Sequence, residues 1–542
     1  MTAVDGLLLL RTVRHLKPAQ IYGRLVEPLP RPLPRAAPAP PARMQVGSWV
    51  SPIVKPRALV GPGRLRLLNA EGEVAAEDAW NDPGRPKLWL YNLHYFDALS
   101  GLRTPTEVGW ARRLIDRWID ENPPGLGVGW EPYPVSLRIV NWIKWALSGA
   151  PFEPRWRESL AAQARWLERR VEWRLLGNHL IANAKALIFA GLFFAGPEAE
   201  RWLAGGLGLL RQQIDQQILR DGGHCERSPM YHAIVLEDLL DLINLSGAMG
   251  LAPPEAEAWR GFTPTMRRWL LLMSHPDGQI GFFNDAAFGV AAPAAAIEAY
   301  ASRLGLDPSH SAPDPVEQLA PSGYLRLALG DAVMLVDAAP IGPDYLPGHA
   351  HADTLSFELS LGAERVVVNG GTSVYGEDAR RQAERSTASH STVEIDGQNS
   401  SEVWAGFRVG RRARPQDVKV SAGPPIEVSA AHDGYRALPG RPLHRRRWRL
   451  EPRRLSIADA VEGGLRPGLA RYHLAPGVAV EAAANARSGV LTTPSGRRIG
   501  WAASEPARVE ASEWRPEFGV RLPTIQLVAP VGRGGLDFAF EW

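Results

Sequence analysis

The spacing of apolar and polar residues divides the chain into two unlike halves. From about residue 105 to 310, apolar residues recur at helical intervals. Trp110 to Ile119 (WARRLIDRWI) sets them among charges. The same period runs through Leu137 to Leu147, Leu160 to Phe194, Trp202 to Leu219, Ile234 to Ile243 and Thr265 to Met273. Breaks rich in Pro, Gly and Asn separate the runs, as at Asn122-Pro123-Pro124-Gly125 and Pro253-Pro254. Helical hairpins in series predict an α/α toroid or an open solenoid, and no fixed-period repeat marks a solenoid family. After about residue 320 the period becomes that of strands. Tyr324 to Ala338, Thr354 to Leu361, Val393 to Ile395, Val418 to Val420, Arg449 to Asp459 and Gln526 to Phe540 predict short strands between turns, hence an antiparallel β-sandwich. The predicted fold is α+β and multidomain. An N-terminal segment covers residues 1–104, an α/α toroid 105–315 and an antiparallel β-sandwich 316–542. Within the first, residues 28–42 (PLPRPLPRAAPAPPA) read as an extended Pro-rich connector.

Composition adds little to this picture, but it closes some doors. At 542 residues the chain is too long for one core. Its net charge of +3 leans only slightly toward anionic partners. Arg outnumbers Lys, which suits bidentate binding of carboxylates and sulfates, although codon bias explains it equally well. Nineteen Trp supply core bulk or flat stacking faces for sugar rings. A lone cysteine, Cys225, excludes a disulfide framework and a cysteine-rich metal cluster. No run is apolar for long enough to span a membrane. At the N-terminus the apolar run Leu7 to Leu10 precedes Arg11, Arg14 and Lys17, the reverse of the order a secretory signal requires.

Four segments interrupt the regular patterns with polar residues. Gly177-Asn178-His179 opens an apolar helix, where Asn178 and His179 face a cleft near the positive end of the helix dipole, or merely cap it. The loop 221–232 leads into a helix starting near Ile234 and carries Tyr231, a candidate acid or base whose pKa neighbouring cations would have to lower, or an edge-of-core aromatic. Gly348-His349-Ala350-His351-Ala352-Asp353 precedes a strand beginning at Thr354. In an extended segment its two His and its Asp share one face, as metal ligands or as a polar turn. The fourth segment runs from Asn369-Gly370-Gly371-Thr372 through Tyr375, Arg380 and Arg385 to His390, and taken alone reads as a solvated Gly/Ser-rich loop.

Taken in this order, the segments resemble the heparinase II/III superfamily of polysaccharide lyases. Asn-His in the helical half, Tyr after Ser228-Pro229, H-x-H-x-D, G-G-T-x-x-Y and H-S-T-V-x-x-D-G ending at Asp396-Gly397 carry the resemblance, with Gly129 to Arg138 (GWEPYPVSLR). It covers most of residues 85 to 400. It implies a toroid followed by a β-sandwich, and β-elimination on a uronate-containing acidic polysaccharide that leaves an unsaturated sugar end. It further implies Asn178, His179, Tyr231 and His349 as catalytic residues. Trp130, Tyr133, Arg138, Tyr375, Arg380 and Arg385 would bind substrate. The chemistry requires no cofactor. Some relatives hold a structural zinc, for which His351 and His390 stand in matching places. Asn369 stands where an Asp is expected and is the weaker ligand. The implied partner is an acidic glycan rather than nucleic acid. Such a substrate points to the periplasm, whereas the N-terminus, read literally, points to the cytoplasm. Two other functions stay open. A glycoside hydrolase would draw two carboxylates from Glu226, Glu237, Asp238 and Asp285. A non-catalytic glycan-binding protein of exopolysaccharide production would need no tyrosine base.

Overall fold

The computed structural model describes every residue except 1–5, 28, 30, 31, 35, 36, 308–311 and 464–467. Part of the predicted connector, residues 28, 30, 31, 35 and 36, thus lies outside the described residues. Eight helices succeed one another between residues 105 and 303 among the described residues. They are Pro105–Glu121, Pro132–Leu147, Pro154–Glu168, Asn178–Phe193, Pro197–Gln217, Pro229–Ala248, Glu255–Leu272 and Ala294–Arg303. Five of them start on proline, whose fixed φ suits the first helical position and whose missing N–H costs nothing there. Ahead of the first, Thr104 accepts from the Glu107 N–H at 3.2 Å while the Glu107 carboxylate accepts from the Thr104 N–H at 3.0 Å. The apolar run from Leu160 to Phe194 is two helices, parted at residues 169–177.

Burial separates the helices into two kinds. Pro105–Glu121 and Pro197–Gln217 bury one face. Asn178–Phe193 and Pro229–Ala248 are buried almost all round, as their apolar composition requires. These two central helices carry Asn178, His179 and Tyr231.

The N-terminal segment has more structure than its composition suggests. It holds helices Gly6–Val13, Pro18–Val26 and Lys87–Tyr95 and a three-stranded antiparallel sheet, Leu59–Gly61, Arg64–Leu67 and Ala70–Glu73. The strands are too short to show a period, so the sequence hides them. Leu59, Leu65 and Leu67 join the core cluster of the helical half. In the connector, the Arg165 guanidinium donates to the Ala37 and Pro38 carbonyls at 2.8 Å each.

From Val316 onward the chain is mainly antiparallel sheet. A nine-stranded sheet contains Val316–Leu319, Tyr324–Leu329, Ala332–Asp337, Phe357–Leu361 and Glu364–Val368 in neighbouring order. An eight-stranded sheet contains Pro415–Ser421, Ile426–His432, Leu443–Glu451 and Arg454–Glu462, also in order. One apolar cluster draws on both sheets, with Phe357 of the first 6.5 Å from Trp448 of the second, ring centre to ring centre. Leu443–Glu451 alternates as a half-buried strand should: His444, Arg446, Trp448 and Leu450 face inward. The inward Arg446 is matched by Asp459, with Nε to Oδ1 at 2.7 Å. Helix Ala379–Glu384 interrupts the β region. Among the described residues no helix is long and apolar enough to cross a membrane.

Candidate active site

The helix bearing Tyr231 begins at Pro229 rather than near Ile234, so Tyr231 lies in its first turn. Ser228 caps it, accepting from the Tyr231 N–H at 3.2 Å and donating its own hydroxyl proton to the Asp285 carbonyl. The strand after the H-x-H-x-D segment starts at Phe357 rather than Thr354, leaving residues 348–356 as a loop. Alternation nevertheless holds in that loop, and all three polar side chains turn toward Asn284-Asp285. His349 Nδ1 is 2.8 Å from Asp285 Oδ2 and His351 Nε2 is 2.8 Å from Asp285 Oδ1. Asp353 accepts from the Asn284 N–H at 2.8 Å.

Asp285 is the buried hub of this arrangement. The Arg381 guanidinium grips it, with Nη2 donating to Oδ2 at 2.7 Å and Nη1 to Oδ1. Burial alone would raise the Asp285 pKa. Arg381 and the two imidazole hydrogen bonds outweigh it and hold the carboxyl well below its usual range. Because Asp285 is ionised, both facing imidazole nitrogens are donors, and Nε2 becomes the free nitrogen of a neutral His349.

Around His349 the two halves of the chain meet. The Tyr231 ring stacks on the imidazole at 3.9 Å between centres, and the Tyr231 hydroxyl is 3.0 Å from that of Tyr375. On the far side Glu226 lies between the halves. Its Oε1 accepts from the Asn178 N–H at 3.0 Å and the Asn178 amide at 3.1 Å, and its Oε2 is 3.4 Å from His349 Nε2. Glu226 approaches so closely that Gly177 cannot be replaced cheaply. At its φ of +58° a Cβ would stand 2.5 Å from Glu226 Oε1. Burial raises the Glu226 pKa, but His349, His224 and the Asn178 hydrogen bonds bring it below the ordinary value. His179 is turned away from this group. Its Nδ1 is 3.0 Å from Glu172 Oε2 and its ring centre 4.5 Å from that of Tyr133.

Several sequence expectations change here. Neighbouring cations were expected to lower the Tyr231 pKa. Burial, then Tyr375 and Asp285, push it well above 10. Trp130 is core rather than groove: its indole donates to the Asn122 carbonyl at 3.1 Å and packs against Trp118 and Trp166. Arg138 is fully buried beneath the same cluster, bonded to Gln163, His94 and Gly129. Arg385 is buried too, clamping the carbonyls of Ala350, Trp404 and Arg408. Arg380 is exposed, and its neighbour Arg381 is the one turned inward. Glu226 and Asp285 were considered only as hydrolytic carboxylates. Arg381 and Glu172 were missed outright. A detectable signal was the polar pair Asn284-Asp285 inside the apolar run GFFNDAA.

The zinc expectation does not fit the donor set. His351 Nδ1 and His390 Nε2 face each other at 3.1 Å. The Asn369 amide is already engaged, accepting from the Ser391 N–H at 3.0 Å and donating to Ser356 at 3.2 Å. Among the described residues no three His, Cys, Asp or Glu are arranged to hold a metal ion. Burial lowers the His351 pKa to about 3, with Asp285 opposing.

Two family descriptions match the chain: "Heparinase II/III N-terminus" over residues 112–304 and "Heparinase II/III-like, C-terminal" over 312–537. The chain belongs to the heparinase II/III-like family. Among curated proteins, FtsZ-localized protein C of Caulobacter vibrioides is 27% identical over 458 residues, 78% of this chain and 75% of that protein. A heparin-sulfate lyase of Pedobacter heparinus is 26% identical over 326 residues, 54% of this chain and 48% of that enzyme. The chain thus spans about half the length of that lyase. Among solved structures, a heparinase III shares the fold at a TM-score of 0.69 and 17% identity, covering 88% of this chain and 78% of its own.

Proposed function

We propose that the chain is a polysaccharide lyase that cleaves a uronate-containing glycan by β-elimination. The curated heparin-sulfate lyase makes a glycosaminoglycan the first substrate class to test. We read the helical half as an α/α toroid and the two large sheets as a β-sandwich, divided near residue 315, with the substrate groove where they meet. A polymeric substrate of this kind assigns the reaction to the periplasm.

One observation carries the reading: a tyrosine hydroxyl and a carboxylate-oriented imidazole stacked together at that junction. The uronate C5 proton is weakly acidic because its removal builds negative charge beside a carboxylate. Donors aimed at that carboxylate lower the barrier as the charge develops. The Asn178 amide, through the N–H that Glu226 does not take, supplies one, whereas His179 is held toward Glu172. His349 Nε2 takes the C5 proton, its imidazole oriented through Nδ1 by ionised Asp285. The C5–H electron pair becomes the C4–C5 double bond, the C4–O4 bond breaks, and O4 takes a proton from Tyr231. A tyrosine hydroxyl raised by burial carries its proton at neutral pH, so Tyr231 acts here as the acid and not as a base. Tyr375 holds that hydroxyl in place.

The hydrolase alternative fares worse because its carboxylates are engaged. Glu237 is paired with Lys55 at 2.7 Å and Asp238 with Lys185 at 2.7 Å. Both oxygens of Asp285 are occupied, and Glu226 is bonded to Asn178. The test is a panel of uronate polymers followed by ultraviolet absorbance, which rises only when a conjugated unsaturated uronate forms. Wild-type protein should produce the rise on at least one polymer. Tyr231→Phe keeps the ring and should lose about a hundredfold or more in turnover. A panel that binds without any rise would instead make this a non-catalytic glycan-binding protein.

A further inference from the structure

The two N-terminal helices are amphipathic the wrong way round. A surface helix ordinarily turns its apolar stripe to the core and its charges to water. In Gly6–Val13 the polar side holds the body of the protein. Arg11 Nε meets Glu402 Oε2 at 2.9 Å, and Thr12 accepts from the Trp404 indole at 3.1 Å. In Pro18–Val26, Gln20 is buried and donates to the Tyr345 carbonyl at 3.0 Å, Lys17 lies 3.6 Å over the Tyr345 ring, and Gly23 abuts Arg174. The apolar side faces outward. Leu9, Leu10 and Val13 form one row, with Leu10 59% exposed. Ile21, Tyr22 and Leu25 form a second at the same i, i+1, i+4 spacing, Tyr22 at 68% and Leu25 at 72%. Such a face stays bare only if something else covers it.

The charge says what. Residues 6–26 contain Arg11, Arg14, Lys17 and Arg24 and no Asp or Glu. Arg14 and Arg24 are themselves exposed. A short helix pair with leucines outward and only basic charge is matched to an anionic phospholipid surface, where leucines enter the headgroup boundary and arginines meet phosphates. We propose that helices Gly6–Val13 and Pro18–Val26 dock the protein in the plane of an anionic bilayer without crossing it. The first helix is fixed to the β half through Glu402 and Trp404. The second is fixed to the helical half through Arg174. Docking would therefore orient the whole molecule. This inference stands apart from the lyase reading and survives its failure.

The test is sedimentation of the full-length protein with vesicles of phosphatidylcholine alone or with about one-third phosphatidylglycerol, at low and high salt. Binding is expected only to the anionic vesicles, weakening at least about tenfold in high salt. The double variant Leu10→Glu/Leu25→Glu, both positions being exposed, should unfold at the wild-type temperature and lose at least about tenfold in binding. Arg14→Glu/Arg24→Glu should weaken it as well. Equal binding to neutral vesicles, no binding at all, or an unaffected leucine variant would each overturn the proposal. Light scattering covers the remaining occupant. A dimer that the leucine variant makes monomeric, with no vesicle binding, would assign the face to a second copy of the chain.

Discussion

Glu226 answers two opposing demands. Its carboxylate holds Asn178 by two hydrogen bonds and stands 3.4 Å from His349 Nε2 across the junction, beside the groups that must face the sugar. The same carboxylate is ionised where a uronate carboxylate should bind, and like charges repel. Glu226→Gln keeps an oxygen for Asn178 to bond and removes the charge. We expect KM for an acidic glycan to fall about fivefold at low salt, corresponding to ~1 kcal/mol of relieved repulsion on the water-screened scale. An unchanged or higher KM would show that the anion contributes more by positioning than it costs by repulsion. Much at this scale was readable beforehand, because His349 and Tyr231 interrupt regular apolar patterns. Arg381 was not. Adjacent arginines at 380 and 381 look alike in sequence, and only the rotation of helix Ala379–Glu384 decides which one reaches Asp285.

Position within an element decides what Tyr231 can do. Its helix starts on Ser228-Pro229, and the Ser228 hydroxyl serves both its own helix and the Asp285 segment. The cap therefore ties the Tyr231 side of the site to the His349 side. Ser228→Ala should cost about 1 kcal/mol or more of stability, as lost caps usually do. It should also lower kcat more than it raises KM, because the defect lies in the alignment of acid and base. Ser228→Thr should restore most of both. Equal stability and kcat in wild type and Ser228→Ala, by thermal melting and steady-state kinetics, would show the cap to be idle. Long periodic helices such as Pro105–Glu121 and Pro197–Gln217 were legible because one face of each is buried. The start of Pro229–Ala248 was not, since a helix buried on all sides carries no polar stripe to mark its first turn. Nor could periodicity find the strands of residues 59–73, which are only three or four residues long. Trp130 and Arg138 misled for a related reason: tryptophan and arginine suit a sugar groove and an aromatic core equally well, and only burial separates the two.

For the molecule as a whole, neutral histidines buried in the core set how much acid the fold can bear. His94 is the clearest case. Its Nε2 is 3.0 Å from the Trp80 carbonyl and must donate, and its Nδ1 accepts from the Trp118 indole at 3.0 Å. A proton on Nδ1 would break the Trp118 bond and bury a cation near Arg138. Burial, then Arg138, accordingly lower its pKa to about 3. His232, buried under Trp269 and bonded to the Met266 carbonyl, is also lowered to about 3, with burial the chief cause. In the unfolded chain both would titrate near 6.5. Between that value and about 3 the unfolded state binds more protons than the folded one, so acid favours unfolding. Their contribution is complete above the unfolded pKa and declines as pH falls below it, by about 1.4 kcal/mol per pH unit for each histidine. Asp459, brought to about 2 by Arg446 and His444 against the effect of burial, adds a loss of the same sign below about pH 4. The thermal midpoint should therefore be flat near neutrality and drop steadily from about pH 6 to 4. Trp80, Trp118 and Trp142 are fully buried in the aromatic cluster around His94. Their fluorescence should shift to the red in the same transition as that cluster opens. A midpoint that holds level down to pH 4.5 would mean that these imidazoles take up protons without unfolding, against the hydrogen bonds that fix them as neutral.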